Sequence, residues 1–164
     1  MYNKILVPID GSKIAECTFG HIQEITGGGQ AKEVILLNVL AAISPPFLEV
    51  ESQYQIDAMV KQQEKEEIAF KERAQNYLVG AVEYLKTQGV TAQFVMIKPE
   101  ATQSTADVIL NYAEKNNIDL IIMSTHGRSG ISRWAFGSVA DRVIRHSVTP
   151  VLIVSPKGCR VVPK

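Results

Sequence analysis

Leu120-Ile121-Ile122-Met123-Ser124-Thr125-His126-Gly127-Arg128-Ser129-Gly130 is the stretch on which the fold turns. Its first four residues are apolar without polar alternation, which describes a strand covered on both faces, as in a parallel sheet. The chain then stays small, polar and glycine-bearing up to Gly137-Ser138, where a helical pattern starts. A buried strand, a glycine-rich loop and a helix, in that order, are the parts of a strand-end site in a wound sheet.

The same pattern extends in both directions. Ile5-Leu6-Val7 is a continuous apolar run closed by Pro8, and Asp10-Gly11-Ser12 supplies turn and cap residues. Ala15, Phe19 and Ile22 recur at helical spacing and predict a helix over about 13–25, stopped by Gly27-Gly28-Gly29. Val34 to Leu40 reads as a second buried strand, although Asn38 interrupts its apolar run. Residues 41–56, with Pro45-Pro46, are expected to form a long loop insertion. A long amphipathic helix is predicted over 57–87, with Ala74, Leu78, Ala81 and Leu85 as its apolar stripe and Gly89 as its stop. Its mixed-sign stretch from Lys61 to Arg73 reads as a solvated face.

Thr91 to Ile97 is the third strand, and Ala106, Ile109 and Ala113 mark the third helix. A helix over about 138–147 and the strand Val151-Leu152-Ile153-Val154 complete the order βαβαβαβαβ. This order predicts an α/β fold: a doubly wound, five-stranded parallel sheet with helices on both faces. Ligands of such sheets bind beyond the carboxyl ends of the strands where the winding reverses. Pro8-Ile9-Asp10 and Ser124-Thr125-His126-Gly127 flank one crevice if the first and fourth strands are neighbours.

Composition sets the frame. The 164 residues are 46% apolar and 21% charged, as expected for a single globular domain over 1–164. Seventeen basic and seventeen acidic residues give no net charge, so no global field draws the chain to nucleic acid or membrane. The longest apolar run, Val34 to Ile43, is about half a membrane span, and no signal-peptide pattern precedes the first strand, so a cytoplasmic location is expected. Cys17 and Cys159 form no Cys-x-x-Cys pair and no framework, and are expected to be buried or incidental thiols.

The loop has the residue types that a phosphate group needs. Gly127, Gly130 and Gly137 allow close approach to backbone N–H groups, and Gly137-Ser138 opens a helix whose unpaired N–H groups favour an anion. Arg128 and Arg133 make the site locally cationic. The same glycines and Gly-Ser cap would equally serve a tight loop and an ordinary N-cap. Neither a Walker A motif nor a Gly-x-Gly-x-x-Gly fingerprint is present. Asp10 suits either an Asp-Gly turn or contact with a ribose hydroxyl or Mg²⁺. His126 suits either a phosphate contact or a loop-orienting hydrogen bond.

Pro8-Ile9-Asp10-Gly11-Ser12, the segment Ile121 to Gly130, the nine residues between Gly127 and Gly137-Ser138, and Pro150 to Val154 together resemble the universal stress protein family nearly end to end. The ATP-binding members carry Gly-x-x-Gly, nine residues, then Gly with Ser or Thr; here Ser124 stands where the first glycine would be. The resemblance implies a Rossmann-like, adenine nucleotide alpha hydrolase-like fold. It also implies ATP or another adenine nucleotide as ligand, with Mg²⁺. Adenine would be held by backbone near Val39 and by Pro8-Ile9, and Asp10 would face ribose or a phosphate-bound metal. Phosphates would rest on Gly127, Gly137, Ser138 and Val139, with Met123 and Ser124 at the strand end and Arg128 and Gly130 within the loop.

No residue takes the water-positioning role that hydrolysis requires, so a nucleotide-dependent regulatory or stress-response module is the first expectation. A slow ATPase or autophosphorylating enzyme is one alternative, and a stress-interaction protein that binds no nucleotide is another. The last strand, Val151 to Val154, should form a sheet edge, and pairing in a homodimer would cover it, as the resemblance also implies.

Overall fold

The computed structural model describes residues 2–27, 33–40, 53–125, 137–155 and 159. The strands are β1 (Lys4–Pro8), β2 (Glu33–Val39), β3 (Ala92–Ile97), β4 (Leu120–Ser124) and β5 (Val151–Val154). The helices are α1 (Thr18–Thr26), α2 (Gln53–Thr87), α3 (Thr105–Lys115) and α4 (Ser138–His146), and a 3-10 turn over Ala15–Cys17 leads into α1. All strand pairs are parallel, in the order β3-β2-β1-β4-β5. The chain starts at the centre of the sheet, winds out to β3, then crosses to β4 and winds the other way, so the reversal falls between β1 and β4. The predicted α/β class is the one observed.

Burial follows the strand patterns. Ile5, Leu6, Val7, Leu36, Ile121 and Ile122 are buried because helices cover both faces of the central strands. Ile5, Val7, Val34, Leu36 and Ile122 pack against Phe19 and Ile22 of α1 and Leu78, Ala81, Val82 and Leu85 of α2. On the opposite face Leu6, Ile35, Leu37 and Ile121 meet Ala106, Ile109 and Ala113 of α3 and Ala140 and Val143 of α4. Each such large aliphatic side chain contributes about 1.5–3 kcal/mol on burial.

Two expectations are corrected. The loop insertion was expected to run to residue 56, but α2 already begins at Gln53; residues 41–52 lie outside the described residues. The added residues, Gln53-Tyr54-Gln55-Ile56, contain no Pro or Gly to stop the helix, so it extends ahead of its apolar stripe. The first half of α2 is mostly exposed, with Ile56, Val60 and Ile68 among its exposed apolar residues. The cysteines are not separate thiols: Cys17 and Cys159 form a disulfide with Cα atoms 4.6 Å apart across 142 residues of sequence. Sequence separation carries no information on this proximity. It arises because the 3-10 turn and α1 contact β4, the strand next to β5.

Candidate functional site

The carboxyl ends of β1 and β4 lie side by side, with registers Ile5–Leu120 and Leu6–Ile121, and a cavity of about 300 Å³ opens above them. Such a volume is at the lower end of the range for small-molecule sites. Pro8, Ile9 and Asp10 line it from β1, and Met123, Ser124 and Thr125 from β4. Leu37 and Val39 close it from β2, and Gly137, Ser138 and Val139 form its wall at the start of α4. A second, shallower depression shares Ser138 and Val139 and continues past Leu40, Gln103 and Arg142. Of the candidate residues read from the sequence, Pro8, Ile9, Asp10, Val39, Met123, Ser124, Gly137, Ser138 and Val139 meet in this one cavity. Gly127, Arg128 and Gly130, with His126 and Arg133, lie outside the described residues.

Backbone direction gives β2 a recognition edge. The β1–β2 register ends at Pro8–Leu37, where Ile9 N–H still donates to Leu37 O at 2.8 Å, and Leu40 N–H donates to Ile97 O of β3 at 2.8 Å. Backbone groups alternate sides along a strand, so the N–H and C=O of Val39 turn toward β1 beyond the point where β1 ends. They therefore face the cavity rather than a neighbouring strand.

The turn after β1 is tightly held. Asp10 Oδ1 accepts the Ser12 N–H at 2.9 Å, Gly11 takes φ +83°, and Ser12 Oγ accepts the Ala15 N–H at 3.1 Å. The turn reading of Asp10 is thus realised, and the same residue also lines the cavity. Only a residue without Cβ adopts the Gly11 conformation readily. Tyr77 of α2 backs this turn: its hydroxyl donates to Glu16 Oε1 at 3.1 Å, and its ring lies 3.9 Å from where a Cβ on Gly11 would sit. Burial, and then the Glu16 charge, hold the Tyr77 phenol well above the usual tyrosine range, so it stays a neutral donor.

Two helices begin at the cavity, and they differ in what their N-termini can accept. The α3 terminus satisfies itself: Ser104 Oγ accepts the Asp107 N–H at 3.2 Å, and Asp107 Oδ2 accepts the Ser104 N–H at 3.1 Å. The Ser104 hydrogen bonds, with Arg142 behind them, hold the Asp107 carboxyl below the usual range, so a charged carboxylate in an ion pair sits at that helix end and is itself part of the cap. At α4 the N-cap is Gly137, and among the described residues no side chain caps the first turn. The first-turn acid, Asp141, is engaged by Arg145 Nε at 2.9 Å. The N–H groups at the start of α4 suit an anion, and none of the described side chains takes them.

Gly137 itself has φ −61° and ψ 156°, an ordinary extended N-cap conformation. Positive φ does not explain this glycine. A Cβ there would meet nothing within 4 Å among the described residues, so the backbone tolerates a side chain and only the cavity would lose space.

Two polar residues were not singled out as site candidates. Asn38 is 7% exposed; its Nδ2 donates to Ile9 O at 2.8 Å and pins the chain where it leaves β1. The signal was available, because a polar residue interrupting a buried strand needs a buried partner. Thr125 is equally buried, and its N–H donates to Val154 O at 3.1 Å, tying the start of the loop to β5. Among the described residues no group of three or more His, Cys, Asp or Glu is arranged to hold a metal ion, and no helix is long and apolar enough to cross a membrane.

Comparison with known proteins agrees with this geometry. The model of the universal stress protein family matches residues 1–155. The chain is 30% identical to universal stress protein MJ0531 of Methanocaldococcus jannaschii over 154 residues, covering 94% of this chain and 82% of the relative. It is 29% identical to MJ0577 of the same organism, covering 96% and 98% of the two chains. The solved MJ0577 structure superposes with a TM-score of 0.71, over 94% of this chain and 96% of that one. Two more distant structures share the fold: an Arabidopsis thaliana family member with AMP bound (16% identity, 93% and 91% coverage, TM-score 0.63) and a universal stress protein in complex with cAMP (20%, 94% and 97%, 0.58). With nearly its whole length matched, the chain belongs to the universal stress protein family.

Proposed function

We propose that this protein is a cytoplasmic regulatory module that binds an adenine nucleotide, ATP in the first instance, in the cavity between β1 and β4. The observation that carries the proposal is the contrast between the two helix ends, since α4 opens onto the cavity with no cap among the described side chains while α3 carries its own capping box. Phosphates fit the N–H groups at Gly137, Ser138 and Val139, with Gly127, Arg128 and Gly130 completing the cradle. The outward-facing N–H and C=O of Val39 suit the edge of an adenine ring, with Pro8, Ile9 and Met123 as apolar walls. Asp10 fits a ribose hydroxyl or a phosphate-bound Mg²⁺, whose other ligands would come from phosphate and water. The relatives with bound AMP and cAMP support an adenine nucleotide as the ligand class.

These residues bind and orient. None of those described stands as a water-positioning group, and regulation by occupancy therefore fits the site better than turnover. Pairing of two chains through β5 completes the proposal.

Calorimetric titration of nucleotide-stripped protein with Mg·ATP, beside a Gly137→Val variant, tests the site. The parent is expected to bind, and the variant to stay folded, with stability within about 0.5 kcal/mol, and lose binding. Absence of binding by the parent, or unchanged binding by the variant, refutes this placement. Multiple turnovers of ATP in the same cell would favour an enzyme.

A further inference from the structure

Beside the cavity stands a pair of cysteines for which nucleotide binding has no use. Cys17 is 5% exposed and ends the 3-10 turn that begins at Ala15, a residue lining the cavity. Cys159, its disulfide partner, packs against the same core and remains partly exposed. Cys17 is joined to Asp10 through a short run of contacts: Asp10 Oδ1 holds the Ser12 N–H, and Ser12 Oγ holds the Ala15 N–H. Cys159 follows β5 by five residues, and the last residue of that strand, Val154, accepts the Thr125 N–H at the start of the glycine-rich loop. The disulfide thus links the 3-10 turn, whose first residue lines the cavity, to the chain beyond β5, the strand that takes the Thr125 N–H.

We propose that Cys17 and Cys159 are a reversible thiol–disulfide site for low-mass disulfides of the glutathione type, and that its closed form holds the two walls of the cavity in register. The coupling to ligand affinity rests on the nucleotide reading given above; the redox site itself does not. In the oxidising direction the more accessible Cys159 thiolate attacks the low-mass disulfide, forming a mixed disulfide and releasing one low-mass thiol. The Cys17 thiolate then attacks Cys159 Sγ, closing the bridge and releasing the second low-mass thiol. Two cysteine thiols are oxidised and one low-mass disulfide is reduced to two thiols, with the two cysteine protons leaving on those products. In the reduced form the Cys17 S–H has an acceptor in place, the Lys13 carbonyl oxygen at 3.5 Å from its sulfur, so opening the bridge leaves the buried thiol with a partner.

Equilibration in glutathione mixtures from fully reduced to fully oxidised, followed by alkylation and intact-mass measurement, tests the site. Two alkylated cysteines are expected at the reducing end and none at the oxidising end. Two alkylated cysteines throughout, or a bridge that survives the fully reduced mixture, overturns the proposal. Amide hydrogen exchange of both forms reads the coupling without nucleotide: peptides covering 9–19 and 120–125 are expected to exchange about tenfold faster when reduced. Equal exchange overturns the coupling.

AMP affinity is expected to weaken about fivefold or more on reduction, within the usual range for coupled sites. AMP binding that is equal in both forms also overturns the coupling. If AMP binds neither form while the exchange difference persists, the nucleotide reading fails and the redox site stands. Cys159→Ser, which leaves the buried Cys17 in place, should behave as the reduced form under oxidising conditions.

Discussion

Asp119 shows how much one side chain at a sheet end can fix. Its Oδ2 accepts the N–H groups of Asn3 at 2.7 Å and Lys4 at 2.9 Å, joining the start of β1 to the start of β4. Those two backbone hydrogen bonds, more than any nearby charge, hold its carboxyl below the usual range. A carboxyl whose pKa is lowered on folding contributes stability that is present above its unfolded value, about 3.9, and is lost as pH falls through its folded value. Asp119→Asn should therefore be less stable than the parent by a constant margin between about pH 7 and 5, with the margin closing below about pH 4. Urea denaturation at a series of pH values measures this; a margin that persists undiminished in acid contradicts it. Sequence showed Asp119 only as the residue before a strand, because its partners lie 115 and 116 residues away. Val39 was legible as a site residue only through resemblance, since what qualifies it is the direction of its backbone, set by where β1 ends. Gly137 was legible from its place in the loop and before a helix; its φ is ordinary, and the space beside it is what matters.

At the scale of the element, the site is defined by two helix ends with opposite character. The α3 capping box, Ser104 with Asp107, takes two of the N–H groups at that helix end and places a carboxylate beside Thr105, which lines the cavity. Ser104→Ala should cost about 1 kcal/mol by urea denaturation, the usual cost of losing such a cap, while nucleotide affinity measured in parallel stays within about twofold. A large loss of affinity would mean that α3, not α4, receives the phosphate. Strands were read from sequence within about a residue because buried parallel strands are mostly continuous apolar runs, Asn38 in β2 and Gln93 in β3 being exceptions. The third helix was legible from the spacing of Ala106, Ile109 and Ala113, without its Ser104 cap, and the fourth from its Gly137-Ser138 start. The start of α2 was not, because the apolar stripe that marks the helix begins only at Ala74, about twenty residues after Gln53.

At the scale of the whole molecule, one topological fact organises the site: β1 and β4 are neighbours, so elements more than a hundred residues apart end on the same crevice. The alternation of strands and helices made this order one of few possibilities, and the loop composition marked the correct end of the sheet. The Cys17–Cys159 bridge was invisible at this scale too, because no residue pattern records which helix the chain returns to after β5. β5 is the outer strand of the sheet, with Val151, Leu152 and Ile153 only partly buried, and pairing with a second copy would cover it. Light scattering coupled to size exclusion at micromolar concentration is expected to give a dimer, and Leu152→Lys a monomer; a parent that stays monomeric removes that part of the account. The central claim is that a nucleotide lies across the β1–β4 crevice with its phosphates on α4. It is tested most directly by amide chemical shifts during titration with AMP. The largest changes should fall on Ser138, Val139 and Ala140 at the start of α4 and on Ile9, Asp10 and Val39, while Ala106 and Asp107 of α3 change little. Changes centred on α3, or none at the start of α4, would contradict the claim.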